Sequence, residues 1–241
     1  TSSVLHYAGR EFDPRAAGRA LGVDSVLDGK VQRAGDSIRV TVQLVRVADG
    51  ASLWAKQFDQ KFTDVFAVQD AISEQVARAL TLRLNDEERE RMRKHYTEDV
   101  EAYQAYLTGR YFWNKRTVEG YRKGIEQFQQ AISRDPNYAL AYAGLADCYM
   151  RLNERGLPPA EGGITHAKAA VARALEIDNS LAEAHATLGF IKFRFDWDFP
   201  GADGEFRRAI ELDPGYAMAH QWYAFYLLAT DHSSEALAEL R

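Results

Sequence analysis

Ala131-Ile-Ser-Arg-Asp-Pro136-Asn-Tyr-Ala139, Ala174-Leu-Glu-Ile-Asp-Asn179-Ser-Leu-Ala182 and Ala209-Ile-Glu-Leu-Asp-Pro214-Gly-Tyr-Ala217 are three versions of one phrase. Each reads as the end of a helix, a sharp stop at Asp-Pro or Asp-Asn, and the start of the next helix. A residue before proline is pushed out of the helical region, and Asp or Asn side chains bond the backbone just ahead of them. The copies lie 43 and 35 residues apart. A helix-turn-helix unit of that length cannot bury its apolar face alone, so consecutive units are expected to stack into a solenoid.

Aligning the units on these stops fixes their register. Ala131, Ala174 and Ala209 take the small position where the second helix touches the next unit, and Phe128, Val171 and Phe206 take a bulky position three residues earlier. In the first helices Leu145/Ala146, Leu188/Gly189 and Tyr223/Ala224 form a large-small pair that lets helices approach closely. A fourth unit starts at Ala217 and keeps Ala236 and Leu240 in place. This pattern resembles the 34-residue tetratricopeptide repeat over residues 99–241, with units at 99–138, 139–181, 182–216 and an incomplete 217–241. Two units depart from it. The first has three or four extra residues around Tyr111-Phe-Trp-Asn-Lys-Arg116, which leaves Leu107 and Gly109 competing for one position. The second carries a loop over Asn153–Gly163, nine residues beyond the standard length, and solenoid insertions become surface loops.

The N-terminal third reads differently. Asp13-Pro14 opens a short helix through Arg15–Leu21, with Pro14 where its missing N–H is harmless and Gly22 as the stop. Ile38, Val40, Val42 and Leu44 then alternate with polar residues, and turn signals stand at 34–37 and 48–51, predicting an antiparallel meander over 25–33, 37–48 and 51–59. Val45 and Val47 fall out of phase with Leu44, which predicts a bulge. Thr63-Asp64 caps an expected amphipathic helix to about Leu84, whose stripe Val65, Val68, Ile72, Val76 and Leu80 needs the apolar face of the meander. The stretches Leu21-Gly-Val-Asp-Ser-Val-Leu-Asp-Gly-Lys-Val-Gln-Arg-Ala-Gly-Asp36, Gln43-Leu-Val, Asp49-Gly-Ala-Ser-Leu-Trp54-Ala and Asp64-Val-Phe-Ala-Val-Gln-Asp-Ala-Ile72 resemble the TolB amino-terminal-like domain. That resemblance implies a receptor-type bacterial setting, where such domains sit beside tetratricopeptide arrays in winged-helix regulators, adenylate cyclases and serine/threonine kinases. This copy lacks the usual first strand and helix, so its sheet is expected to expose an edge. The fold class expected is therefore an α+β N-terminal domain over 1–86, a charged helical linker over 87–98, and an all-α tetratricopeptide solenoid.

Composition bounds the function. The chain has 241 residues, 46% hydrophobic and 27% charged, as in ordinary globular proteins. No run approaches the ~20 apolar residues of a membrane helix. Net charge is −5, with 15 basic and 14 acidic residues over 1–96 against 15 and 21 over 97–241, so neither half has a nucleic-acid footprint. The one cysteine, Cys148, excludes an intrachain disulfide and reads as a buried small hydrophobe. The chain starts without Met and stops at Arg241 inside a helical pattern, which reads as a piece of a longer protein.

No phosphate loop, nucleophile elbow or Cys-x-x-Cys pair occurs. Asp196, Asp198, Asp203 and Glu205 surround Pro200-Gly201, but a calcium loop needs a carboxylate where Arg207 stands, so this reads as an inter-helix turn with Pro200 in the first turn of a helix. His185 and His220 take equivalent places in successive units and read as packing histidines without a third metal ligand; His166 and His232 read as solvent-facing. No catalytic residue, metal or cofactor is expected.

What remains is the concave lining that the tetratricopeptide resemblance implies. It falls on Leu140, Ala143, Asp147, Met150 and Arg151, then Glu183, Ala186, Phe190, Phe193 and Arg194, then Met218, Gln221, Phe225, Leu228 and Ala229. The expectation is a non-catalytic sensory or scaffolding segment that binds a protein or peptide in this groove. Arg194 would engage an acidic group while Phe190, Phe193 and Phe225 bury apolar side chains. Further repeats or the N-terminal domain folding back are the other ways to cover the face. The rival expectation is homodimerisation controlling an attached cyclase, kinase or DNA-binding domain. Direct nucleic-acid or membrane contact is not expected, and the compartment is periplasmic or cytoplasmic according to the parent.

Overall fold

The structure, a computed structural model, describes residues 13–61, 63, 65–80, 94–156 and 163–240. The chain divides into two compact units, Thr1–His95 and Tyr96–Arg241.

In the first unit, helix α1 (Pro14–Leu21) starts where the Asp13 carboxylate accepts the Arg15 N–H at 2.9 Å, and stops at Gly22, whose φ of +67° suits a residue without Cβ. Three strands follow, β1 (Ser25–Ala34), β2 (Ser37–Arg46) and β3 (Ser52–Lys61), in an antiparallel sheet of order β1-β2-β3. The second strand ends two residues short of the expected 48, because the Ala51 carbonyl already pairs with the Arg46 N–H. The third runs to Lys61, two residues beyond expectation, because Lys61 still finds Ser37 opposite. The predicted irregularity is present as a register shift between Leu44 and Val45. Helix α1 sits on the sheet through Gly18, where a Cβ would come within 2.2 Å of the Val47 side chain. Helix α2 (Val65–Ala79) packs on β3, and Gln75 accepts the Trp54 indole N–H at 2.9 Å. Ile38, Val42, Leu44, Phe58 and Val68 are buried. Asp64, the far end of that expected helix and most of the charged linker lie outside the described residues.

The second unit is all helix. It contains α3 (Val100–Asn114), α4 (Val118–Arg134), α5 (Ala139–Glu154), α6 (Ile164–Ile177), α7 (Ala182–Ile191), α8 (Phe199–Leu212), α9 (Ala217–Ala229) and α10 (Ser233–Glu239). Contacts run mainly between consecutive helices, with further packing of α5 on α3 and α7 and of α7 on α9. The three repeated phrases give three matching turns. Asp135, Asp178 and Asp213 donate their N–H groups to the carbonyls of Ala131, Ala174 and Ala209 at 2.9, 2.9 and 3.0 Å. Their carboxylates accept the N–H groups of Asn137, Ser180 and Gly215, each at 2.9 Å. Phe128, Tyr138, Met150, Leu152, Leu181, Ile191, Phe206 and Trp222 form the buried core. Of the two residues competing in the first unit, Gly109 is the one that meets Phe128, and Leu107 is 47% exposed.

One feature is irregular. The last turn of the α7 rod widens into a π-helix over Lys192–Asp196, closed by Trp197 in the left-handed region at φ +58°. Pro200 lies in the first turn of α8 as expected, with the Asp198 carboxylate capping the Gly201 N–H at 3.0 Å. Among the described residues no helix is long and apolar enough to cross a membrane.

Candidate functional site

An open cavity of about 710 Å³ lies in the helical unit, between the C-terminal ends of α3, α5 and α7 and one face of α9. Of the lining residues expected from sequence, Arg151, Phe190, Phe193, Arg194, Met218, Gln221, Phe225 and Ala229 meet there. Leu228 is exposed outside it, and Leu140 and Glu183 are half-buried elsewhere. Ala143, Met150 and Ala186 sit beneath the surface, because small or flexible residues at these positions let α5 and α7 close on their neighbours. Trp113, Arg116, Tyr121, Glu154, Arg155 and Trp222 also line the cavity. The sequence signal for most of these was the pair of insertions. Arg116 lies two residues past the end of the long first helix, and Arg155 directly follows α5 at the start of the second insertion, whose residues 157–162 lie outside the described residues.

The walls are stacked guanidinium and aromatic groups. The Arg151 guanidinium lies 5.3 Å from the Phe190 ring centre and 5.0 Å from that of Trp222, while bonding the Glu154 carboxylate at 2.7 Å. Phe190 and Trp222 pack at 4.9 Å, and Phe193 meets Phe190 edge-on at 6.4 Å. At the other end Arg155 donates to the Arg116 carbonyl at 3.1 Å and lies 5.8 Å from the Tyr121 ring. Trp113 has Arg110 at 4.8 Å and Arg116 at 5.6 Å from its ring. Such contacts are worth about 0.5–2 kcal/mol each, depending on how dry they are.

A polar cluster lies within the helical unit, outside the cavity lining. Asp147 is buried and accepts the Thr187 hydroxyl at 2.7 Å. Burial pushes its carboxyl above the usual carboxylate range, against the pull of Thr187, Arg110 and Arg151. Glu183 is likewise raised, by burial first, with Arg110 opposing. For Arg110 burial works against the charge, but Tyr106, Asp147, Tyr216 and Glu183 outweigh it and keep the guanidinium above its ordinary value. Asp147 thus faces the interior of the helical unit.

The equivalent histidines are engaged in matching ways. His185 Nδ1 meets Glu205 Oε2 at 2.7 Å and Nε2 meets the Asn179 carbonyl at 3.0 Å; His220 meets Glu239 at 2.5 Å and the Pro214 carbonyl at 3.0 Å. Each ring ties a first helix to its second helix and to the preceding turn, which packing alone did not predict. Asp196 pairs with Lys168, Asp203 with Arg207 and Glu205 with Lys192, so the carboxylates around Pro200 point to three different cations. No group of three metal-ligating side chains is present among the described residues.

No family model matches the chain. Over 190 residues, 78% of this chain and 32% of that protein, it is 30% identical to "Putative adenylate cyclase 3" of Rhizobium meliloti (strain 1021). Over 138 residues, 57% of this chain and 25% of that protein, it is 24% identical to the transcriptional regulator HilA of Salmonella typhimurium. The chain therefore spans a third or less of the length of these relatives. Among solved structures it is similar to a thermophilic tetratricopeptide protein of Thermus thermophilus, at 17% identity and TM-score 0.46 over 74% of this chain and 84% of that one. A second is the first tetratricopeptide domain of Spaghetti bound to an HSP90 peptide, at 18% identity and TM-score 0.43 over 54% of this chain and 94% of that one.

Proposed function

We propose that this chain is a non-catalytic protein- or peptide-binding segment of a larger bacterial signalling or transcription-regulating protein. In this reading an α+β unit of the TolB amino-terminal type precedes a tetratricopeptide solenoid, and the solenoid binds through its concave face. The observation that carries the reading is the open cavity where Phe193 and Arg194 from the π-helical turn after α7 meet Met218 and Phe225 from α9. Aromatic, Met and Arg side chains are the ones enriched at contact surfaces. The relatives, one named as a cyclase and one as a regulator, support a setting in proteins that respond to signals. Any cyclase, kinase or DNA-binding output would belong to sequence outside this segment.

Selection from a random-peptide display library against the whole chain tests the reading. Selected peptides should lose binding at least about tenfold on Phe193→Ala and on Phe225→Ala, since aromatic anchors are typical hot spots. Peptides insensitive to both substitutions would put recognition elsewhere.

Self-association is the second reading, favoured by the outer edge of β1. Leu27 and Val31 are 48% and 67% exposed there, and β2 is the only strand beside β1 among the described residues. An antiparallel copy centred on Gly29 would set Leu27 against Val31 and Asp28 against Lys30, a self-complementary pattern of the kind a two-fold interface needs. Sedimentation decides it: a dimer that weakens on Lys30→Asp supports this reading, and a monomer at high concentration removes it.

A further inference from the structure

The cavity is electrostatically one-sided. Its lining holds Arg116, Arg151, Arg155 and Arg194 against a single carboxylate, Glu154. Residues 97–241 carry 15 basic and 21 acidic groups, so this concentration runs against the charge of its own unit. The four arginines are not equally occupied. Arg151 is held by Glu154 and the two aromatic rings. Arg155 has one N–H on the Arg116 carbonyl. Arg116 reaches only the Trp113 ring, and Arg194, exposed at the rim, has no ion pair, hydrogen bond or ring partner among the described residues.

A separate observation points the same way. Trp113 lines the cavity at 4% exposure, and its indole N–H has no acceptor among the described residues. Buried polar groups are nearly always satisfied, so an unmet donor calls for an explanation. Arg116 and Arg194 thus offer guanidinium donors to the cavity that no acceptor among the described residues takes up, and Arg155 has a single N–H engaged, on the Arg116 carbonyl. Guanidinium groups match carboxylates in shape and pair with them two bonds at a time. The Arg151–Glu154 pair at 2.7 Å is the chain's own instance of that match.

We infer that the cavity takes a protein segment with clustered Asp or Glu side chains next to an aromatic or aliphatic one. The carboxylates face Arg116, Arg155 and Arg194, and the apolar neighbour lies against Phe193, Met218 and Phe225. This rests on the groove-binding reading above and adds the chemistry of what is bound.

The display selection tests the two separately. Selected sequences should be enriched in Asp and Glu beside apolar residues. Synthesised with a fluorescein label and titrated by polarisation, they should weaken about tenfold with Arg194→Gln and with Arg116→Gln, the loss expected for one charge-assisted bond. Lys123→Gln, exposed and outside the lining, should leave affinity unchanged, and thermal melts of each variant control for folding. Binding should also fall as salt rises. Peptides that lose affinity in Phe193→Ala but carry no acidic enrichment, or ignore both arginine substitutions, overturn the carboxylate assignment and leave the groove reading standing. A phosphoserine version that binds more than about tenfold tighter than its Asp counterpart overturns it in favour of a phosphoryl group. A library that yields no ligand sinks the groove reading and this inference with it.

Discussion

Gly109 and Gly144 press on the same phenyl ring. A Cβ on Gly109 would stand 2.7 Å from a Phe128 ring carbon and one on Gly144 2.6 Å, and Phe128 is fully buried between their helices. Alanine is the better helix former by about 1 kcal/mol, so propensity alone favours Gly144→Ala. Close packing opposes it, because inserting a methyl into a filled core costs about 1–3 kcal/mol. Gly144→Ala is therefore expected to lower stability in urea titration by about 1 kcal/mol or more net. The loss should shrink in a Phe128→Leu background, where the ring that meets the methyl is gone. A neutral Gly144→Ala would mean that α5 does not approach α4 this closely. The sequence pattern marked Leu145/Ala146 and Leu188/Gly189 as points of close approach. Gly189 does lie against Phe206, where a Cβ would stand 3.0 Å from the ring, whereas the contact of Gly144 with Phe128, one residue before its pair, was not marked. A rule based on residue size finds the neighbourhood of a helix crossing, but helical phase decides which residue touches, and phase shifts with a small rotation of the rod.

The turns between elements were legible because their causes are local. Asp-Pro and Asp-Asn bond their own backbone, and all three did so as read. The π-helical turn at Lys192–Asp196 was not legible, since its apolar residues also fit an ordinary helix, and a widened turn is set by what it packs against. The histidine links were half legible: equivalent positions were visible, but not their partners on the following helices. Their chemistry predicts a pH dependence. Both ring nitrogens of His185 face acceptors, a carboxylate and a carbonyl, which only the doubly protonated ring satisfies. Burial disfavours that charge, but the bonds to Glu205 and Asn179 outweigh it and raise the ring above its ordinary 6.5, while Arg208 opposes. For Glu205 burial acts upward, but His185 and Lys192 outweigh it and hold the carboxyl below 4.5. The His185 contribution is complete below pH 6.5 and disappears as pH rises through the raised folded value. The Glu205 contribution is complete above 4.5 and disappears as pH falls through its depressed value. The pair stabilises most between these two ordinary values. His185→Gln should cost about 1–3 kcal/mol at pH 6 and less at pH 9, because bonds to a charged group are the ones removed. Tm measured from pH 5 to 9 for both proteins checks this, and parallel curves would show that the ring does not change its charge over that range.

At the scale of the molecule the helical unit raises a choice between a stack and a single core. Repeated turns and contacts between consecutive helices argue for a stack, in which stability is a sum of units and their interfaces. A continuous set of buried residues from Trp113 to Ala236 fits either answer, because stacked hairpins also bury one connected interior. The repeat was legible in the sequence for the same reason that a stack is plausible, since each unit solves the same burial problem against the next. The cavity was only partly legible. Arg116 and Arg155 reach it from insertions, and a position rule carried over from regular repeats passes over inserted residues. Amide hydrogen exchange separates the alternatives. Phe206 is fully buried under α8, touching Tyr223 and Tyr226 of α9, with Gly189 of α7 against its ring. Phe206→Ala should cost about 3–5 kcal/mol locally. In a stack, protection then falls in α7, α8 and α9 and persists in α3 and α4, because sub-global opening is confined to units sharing the damaged interface. Equal loss from α3 to α10 would mean one cooperative core, and the cavity would then be a dent in a globule instead of part of an extended binding face.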